Sequence, residues 1–209
     1  IVRHAAFHHA VAEGPLGALL SEVSKHIAHY PIRTRGTFCG SLAHADPSSE
    51  WCLVAACLNA QIHVRGIRGT RIITAEDFFH GAMTTALGAD EMIMSVRLPM
   101  LPLDSVFGFR EFSRRAGDYA MAAALAVYRL EGGKMHDVRL AIGGAEECPR
   151  RIAEAEALLN GAHPGIEIFR EAARVAAAAI DPILDAQVSA DFRRMLVRTM
   201  CKRALADTV

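Results

Sequence analysis

The stretch Arg35-Gly36-Thr37-Phe38-Cys39-Gly40-Ser41-Leu42-Ala43-His44-Ala45-Asp46-Pro47-Ser48-Ser49-Glu50 carries the densest chemical signal in the chain. Residues 34–47 are mostly small or polar and end at Asp46-Pro47, which reads as a loop. Small residues let backbone N–H groups approach a ligand without side-chain interference. Consecutive amides that point one way bind phosphate oxygens, and Thr37 and Ser41 add hydroxyl donors. Asp46 and Glu50 follow, and a carboxylate accepts hydrogen bonds from sugar hydroxyls. Donors followed by acceptors is the order a nucleotide cofactor needs, pyrophosphate first and ribose or polyol second. A glycine-bearing turn is more often only a turn, so the sequence around it decides.

Upstream, residues 4–12 and 15–29 are predicted helices separated at Gly14-Pro15. Leu16, Leu19, Leu20, Val23 and Ile27 recur at helical steps and give the second helix one apolar face, and Pro31 is expected to stop it. Downstream come a short helix over 49–58, strands over 60–65 and 70–74 joined by a turn, a helical turn at 75–79 and a strand over 92–98. Leu98-Pro99-Met100-Leu101-Pro102-Leu103 reads as a linker, because two prolines stiffen it, and it divides the chain into 1–101 and 102–209. Strands are predicted near 106–113, 120–131 and 134–143, the last two joined at Gly132-Gly133. Helices are predicted over 149–160, 165–178 and 189–206, the first starting at Pro149 and the last capped by Ser189. Strands backed by helices make the fold class α+β.

Composition removes several functions. The 209 residues are 52% apolar, much of it alanine, and no apolar run approaches the ~20 residues of a membrane-spanning helix. Lys+Arg and Asp+Glu are equal at 23 each, so the chain carries no long-range field for nucleic acid or anionic lipid. Five cysteines without a CxxC argue against zinc or an iron–sulfur cluster on this chain, and their odd number suits a reducing, cytoplasmic setting. The start, Ile1-Val2-Arg3-His4, reads as the interior of a larger protein.

The order Thr37 to Glu50 resembles the second flavin-binding segment of the molybdenum hydroxylase flavoproteins: the medium subunits of carbon monoxide dehydrogenase and its relatives, and the flavin domain of xanthine dehydrogenase. That pattern is a Ser or Thr, any residue, two glycines and an Asn, Asp or Ser, then an apolar run, a Pro and an acidic residue. The likeness continues through His26-Ile27-Ala28-His29-Tyr30-Pro31-Ile32-Arg33, Asp77-Phe78-Phe79, Arg114-Arg115-Ala116-Gly117-Asp118-Tyr119-Ala120, Ile142-Gly143-Gly144-Ala145 and Ala155-Glu156-Ala157-Leu158-Leu159-Asn160-Gly161. It implies a partial PCMH-type FAD-binding domain, a mixed sheet with helices, at 1–101, with the family's first glycine-rich flavin loop lying ahead of residue 1. A smaller domain of three antiparallel strands on a helical bundle follows at 102–209.

The resemblance also implies roles. Thr37, Cys39, Gly40 and Ser41, with Phe38 among them, are expected to line the FAD pyrophosphate. Asp46 and Glu50 are expected to serve the cofactor's hydroxyls, and Ile93 to touch the flavin ring. Arg110 is expected near the ring as a cation favouring its reduced, anionic form, and Tyr119 over the isoalloxazine face, on a loop shaped by Asp118. Cys39 stands where the family usually has the first of two glycines, and a Cβ there penalises positive φ. The implied function is an oxidoreductase subunit that passes electrons from [2Fe–2S] clusters on a small partner, through FAD, to an external acceptor. Substrate hydroxylation takes place at a molybdopterin cofactor on a large partner, in a dimer of heterotrimers. The rival is an assembly subunit that has lost FAD and only bridges partners.

Other residues have plainer readings. His4 and His8 lie four apart, but without HExxH or an acidic partner they read as solvated or capping groups, as does the His26/His29 pair. His44 either contacts phosphate or fills space beside the turn. Cys52 and Cys57 read as buried small hydrophobes. Arg114-Arg115 reads as a docking pair or as an ordinary solvated one.

Overall fold

The computed structural model describes residues 2–185 and 188–209; Ile1, the first residue of the start segment, lies outside them. The chain opens with a 3-10 turn, His4–His8, then helices α1 (Gly14–Ser24), α2 (Tyr30–Arg33), α3 (Phe38–His44) and α4 (Glu50–Leu58). Strands β1 (Gln61–Gly66) and β2 (Gly69–Thr74) form a hairpin, followed by α5 (Ala75–Phe78), the short pair β3 (Phe79–Gly81) and β4 (Thr84–Thr85), and β5 (Met92–Arg97). The first sheet has the order β2-β1-β5, and where a mixed sheet was expected both pairings are antiparallel.

Two local expectations fail here for identifiable reasons. The second predicted helix stops at Ser24 rather than 29, because Arg33 Nη1 reaches back to the carbonyls of Ile27 at 2.8 Å and Ala28 at 2.9 Å, and Ala28 turns left-handed at φ 42°. Pro31 does not end a helix but sits in the first turn of α2, where its missing N–H costs nothing. The expected loop over 34–47 contains α3: Thr37 caps it, accepting from the Gly40 amide at 3.0 Å, and Phe38 and Leu42, four apart, are both buried.

The second half forms a sheet of order β6-β7-β8-β9 from β6 (Ser105–Phe112), β7 (Ala122–Glu131), β8 (Lys134–Gly143) and β9 (Arg150–Arg151), with helices α6 (Ala153–Leu159), α7 (Ile166–Ala179) and α8 (Ala190–Ala206). Gly132 and Gly133 both have positive φ, 59° and 74°, as a two-residue hairpin turn requires. Ser189 caps α8 as expected, accepting from Phe192 N at 3.2 Å. The fourth strand was not foreseen. Pro149 precedes β9 instead of a helix, since Arg150 and Arg151 pair with Ile142 and Ala141. Beside that short strand the buried Glu156 takes over the ladder, accepting from the Leu140 amide at 2.8 Å and from Arg151.

Strand β7 organises both halves. Ala123, Leu125 and Val127 face one core with α1 and α4, while Ala122, Ala124, Ala126 and Tyr128 face a second core with α6, α7 and α8. Alanine lets helices approach closely on both sides. Gly108 in β6 extends the fit, since a Cβ there would lie 1.9 Å from the Ala204 carbonyl of α8. Strand parity then sorts β6: Phe107 and Phe109 face the first core, and Val106 and Phe112 face the second.

Helices α3 and α4 are fixed by an aromatic cluster. Trp51, fully buried, lies 4.8 Å from Phe7 and 4.9 Å from Phe38 between ring centroids. Its Nε1 donates to His4 Nδ1 at 2.9 Å; burial, aided by Arg33, holds the His4 pKa below the ordinary value, which keeps the ring an acceptor. His4 in turn occupies the space over Gly36, where a Cβ would sit 2.4 Å from Nε2. Gly36→Ala is therefore expected to lose about 1–3 kcal/mol in urea melts by overpacking, whereas Gly165→Ala, with no atom within 4 Å of the added Cβ, stays within about 0.5 kcal/mol.

Candidate functional site

The sequence-selected residues fall into a converging group and an engaged group. Convergence comes from the turn at 45–49. Asp46 Oδ1 accepts from Ser48 N at 2.8 Å, and Ser48 Oγ donates to the Ala120 carbonyl at 2.8 Å. The Pro47 carbonyl accepts from Gly144 N at 2.7 Å. These bonds pin the entry of α4 to the segment before β7, and the charges of Asp46 and Glu50 act on Tyr119, which is 68% exposed. Burial, with the charges of Asp46 and Glu50 behind it, raises the Tyr119 pKa, so the phenol stays neutral. Asp118 is exposed in the same turn, its amide donating to the Arg115 carbonyl at 3.0 Å. Arg114 and Arg115 are exposed and make no side-chain ion pair among the described residues.

Glu50 opens α4, where a carboxylate suits the helix dipole. Burial nevertheless dominates and pushes its pKa up to about 7, and the Glu111 charge adds to the rise. Its own amide and His26 oppose the shift, while Asp46 adds a smaller rise. The Glu111 side chain is largely buried, with Oε1 3.3 Å from His26 Nδ1 and Oε2 without a hydrogen-bond partner among the described residues. Residue-by-residue reading missed Glu111 and left His26 as a solvated group. The signals were present: His26 follows α1 in the next turn, three residues after Val23, and strand parity places Glu111 with Phe109.

The same parity corrects Arg110. It faces α8, where its guanidinium is held by Asp207, Nε to Oδ2 at 2.6 Å and Nη2 to Oδ1 at 2.8 Å. The group that strand β6 turns toward Glu50 is the acid Glu111, not a cation. Phe38 is likewise a core residue, its ring packed on Phe7 and Trp51. Cys39 lies in the first turn of α3 without positive φ, so the strain expected from its Cβ is absent; glycine is needed instead at Gly40, where a Cβ would lie 2.6 Å from Thr37 Oγ1. Burial raises the Cys39 pKa. Cys52 and Cys57 are buried thiols pushed to about 12, as their hydrophobic reading expects.

The amides of the expected phosphate cradle are largely engaged. Phe38 N donates to the Val2 carbonyl at 3.1 Å, Gly40 N to Thr37 Oγ1 at 3.0 Å and Ser41 N to the Thr37 carbonyl at 3.0 Å. Helix α3 is seven residues long, and His44 is exposed in its last turn, about 10 Å along the axis from the Thr37 end. Ile93 is half-buried, pairs with Val64 and packs on the first core, on a strand that lies against α3. The residues fit a flavin dinucleotide better at its polyol and ring than at its phosphates. Glu50 is a hydrogen-bonding carboxyl for hydroxyl groups, and the exposed Tyr119 ring offers a stacking surface.

Comparison with known proteins identifies the family. Residues 2–101 match the FAD binding domain in molybdopterin dehydrogenase, and residues 107–208 match the CO dehydrogenase flavoprotein C-terminal domain. The chain is 37% identical over 207 residues to the nicotine 6-hydroxylase medium subunit of Paenarthrobacter nicotinovorans, covering 99% of this chain and 72% of that one. It is 35% identical to the 6-hydroxypseudooxynicotine dehydrogenase complex subunit alpha of the same organism, covering 91% of this chain and 65% of that one. Among solved structures, quinoline 2-oxidoreductase from Pseudomonas putida 86 superimposes with a TM-score of 0.90 at 31% identity, over 99% of this chain and 72% of that one. A carbon monoxide dehydrogenase from Hydrogenophaga pseudoflava, described as lacking the Mo-pyranopterin moiety of its molybdenum cofactor, gives 0.93 at 29% identity, over 100% and 72% respectively. The chain belongs to the family of FAD-binding medium subunits of the molybdenum hydroxylases, alongside those of carbon monoxide dehydrogenase and nicotine hydroxylase.

Proposed function

We infer that this chain holds FAD on the face formed by Glu50, Tyr119 and the Thr37 end of α3, and serves as the electron-relaying subunit of a molybdenum-containing hydroxylase. The observation that carries the reading is that the turn holding Asp46 is tied through Ser48 to Ala120, the neighbour of the exposed Tyr119 and distant in sequence. FAD, when bound, supplies a redox centre able to exchange electrons both singly and in pairs. The chain's own residues bind and orient. Glu50 meets polyol hydroxyls, Tyr119 covers one face of the ring, and Ile93 borders it from β5. Ser41 and the Thr37 end of α3 meet the phosphates. With Arg110 committed to Asp207, the fixed ion pair leaves no cation from β6 for the ring.

In this reading the electrons come from [2Fe–2S] clusters on a small partner subunit and leave for an external acceptor. Substrate is oxidised at a molybdopterin site on a large partner, within a dimer of heterotrimers in the cytoplasm. The division at 101/102 separates a flavin-holding part from a part that supplies Tyr119 and the supporting sheet.

The rival reading, an assembly subunit without cofactor, is favoured by one observation: the Phe38, Gly40 and Ser41 amides already have acceptors within the chain. A titration of the purified chain with FAD, followed by quenching of flavin fluorescence, separates the two. Saturable quenching is expected, weakened about tenfold in Glu50→Ala by loss of one hydrogen bond to a carboxyl group. No quenching, by the chain alone or in its co-purified complex, selects the rival.

Stability should also report Glu50. Its folded pKa lies near 7, above the ordinary 4.5, so its contribution to stability is fully present below pH 4.5 and is lost as pH rises through 7. Glu50→Gln is therefore expected to be more stable than the wild type at pH 8, by on the order of 2 kcal/mol, with the difference vanishing toward pH 4 in urea melts.

A further inference from the structure

The turn that carries Tyr119 is shaped from within and anchored at its base. The Arg115 carbonyl accepts from Asp118 N at 3.0 Å and from Ser113 Oγ at 2.8 Å. Gly117, third of the four residues Arg115 to Asp118, has φ 84°, a conformation that favours glycine. Met121 N closes the base by donating to the Phe112 carbonyl at 2.8 Å, and Ser48 Oγ holds the Ala120 carbonyl. Between those ends, among the described residues, no hydrogen bond or ion pair ties 113–119 to another part of the chain. Yet Gly117 is half-buried, while every other residue from Arg114 to Tyr119 is exposed.

His29 covers it. A Cβ at Gly117 would lie 2.5 Å from His29 Cε1, 2.8 Å from Nδ1 and 2.9 Å from Nε2, so the imidazole sits directly on the Gly117 backbone. Neither ring nitrogen makes a hydrogen bond among the described residues, and the contact is therefore one of shape. The backbone on both sides aims the ring. Ala28 is left-handed at φ 42°, and Arg33 Nη1 grips its carbonyl at 2.9 Å and that of Ile27 at 2.8 Å. The His29 carbonyl accepts from Ile32 N at 2.9 Å and from Arg33 N at 3.1 Å as α2 begins.

We propose that His29 is a positioning residue for Tyr119: by packing on Gly117 it holds the 113–119 turn against the start of α2, and so sets where the Tyr119 ring stands. The consequence for a cofactor rests on the preceding reading of Tyr119 as the cover of the flavin ring. Tyr119 lies two residues past Gly117, so a swing of the turn about its base carries the ring with it. The Tyr119 hydroxyl has no hydrogen bond among the described residues to fix the ring from its far end. A loose turn would have to be ordered at the moment of binding, and that ordering costs affinity. His29 supplies the order in the free protein. Glycine at 117 then serves twice: it admits the left-handed φ and leaves the space that the imidazole fills.

The test uses the whole chain. Trypsin needs an extended backbone around its target, so cleavage after Arg114 and Arg115, followed by mass spectrometry without flavin, reports opening of the turn. His29→Ala is expected to speed that cleavage about fivefold or more at an unchanged urea midpoint. His29→Phe, which puts a flat ring back in the same space, is expected to return it to the wild-type rate. Flavin quenching is then measured on the wild type, His29→Ala, Tyr119→Ala and the double variant. His29→Ala should weaken flavin binding about fivefold when Tyr119 is present and leave it unchanged in Tyr119→Ala protein. Equal cleavage rates in the wild type and His29→Ala overturn the proposal. So does faster cleavage that tracks a lower urea midpoint or that His29→Phe fails to reverse, and so does an equal loss of flavin binding with and without Tyr119. Cleavage that responds as expected, with no quenching by any variant, keeps His29 as the anchor of the turn and removes the flavin site. Quenching with cleavage rates that do not respond does the reverse.

Discussion

The structure depends on the burial of β7 from both sides. A strand covered on one face fixes its register only against that face; one covered on both must suit two cores at once. The run Ala122 to Tyr128 meets this demand with alternating sets, Ala123, Leu125 and Val127 toward α1 and α4, and Ala122, Ala124, Ala126 and Tyr128 toward the helices that follow. A slip of one residue would exchange the two sets and drive the Tyr128 ring, whose hydroxyl lies 2.5 Å from Thr208 Oγ1, into the wrong core. Neighbouring β6 inherits the parity, and with it the fate of its two charged residues: Glu111 turns inward to His26, and Arg110 turns outward to Asp207.

Much of the fold was legible because its signals are local. The Gly132-Gly133 hairpin, the Ser189 cap and the β1–β2 hairpin each rest on residues adjacent in sequence. What escaped depends on distant partners. Helix α1 ends early because of Arg33, and β9 exists because Arg150 and Arg151 find a ladder on β8. The segment at 34–47 was misread because small residues suit a loop and a tightly capped short helix equally well. The decisive contacts come from Phe7 and Trp51, which composition does not locate.

The same distinction divides the site. Glu50 and Tyr119 were selected because a family pattern marks them, and in the structure the charge of Glu50 acts on Tyr119. Arg110 was chosen for its charge near a pattern, but strand direction decides which of two adjacent residues reaches a site, and that requires knowing which face is covered. Glu111 stands on an apolar stripe and His26 just beyond one, where a polar residue is the exception, a signal visible in sequence only once both stripes are aligned. The phosphate side departs furthest from expectation: a cap, a helix bond and a bond to Val2 occupy the amides that a bare loop would present.

The hydrogen bonds from Ser48 to Ala120 and from Gly144 to Pro47 tie the turn before α4 to the sheet of the second half. They cross the boundary between the two segments that match separate family models. A chimaera joined between residues 101 and 107 would take Ser48 and His26 from one parent and Ala120 and Glu111 from the other, so its two halves would meet across contacts that neither parent had tuned to the other.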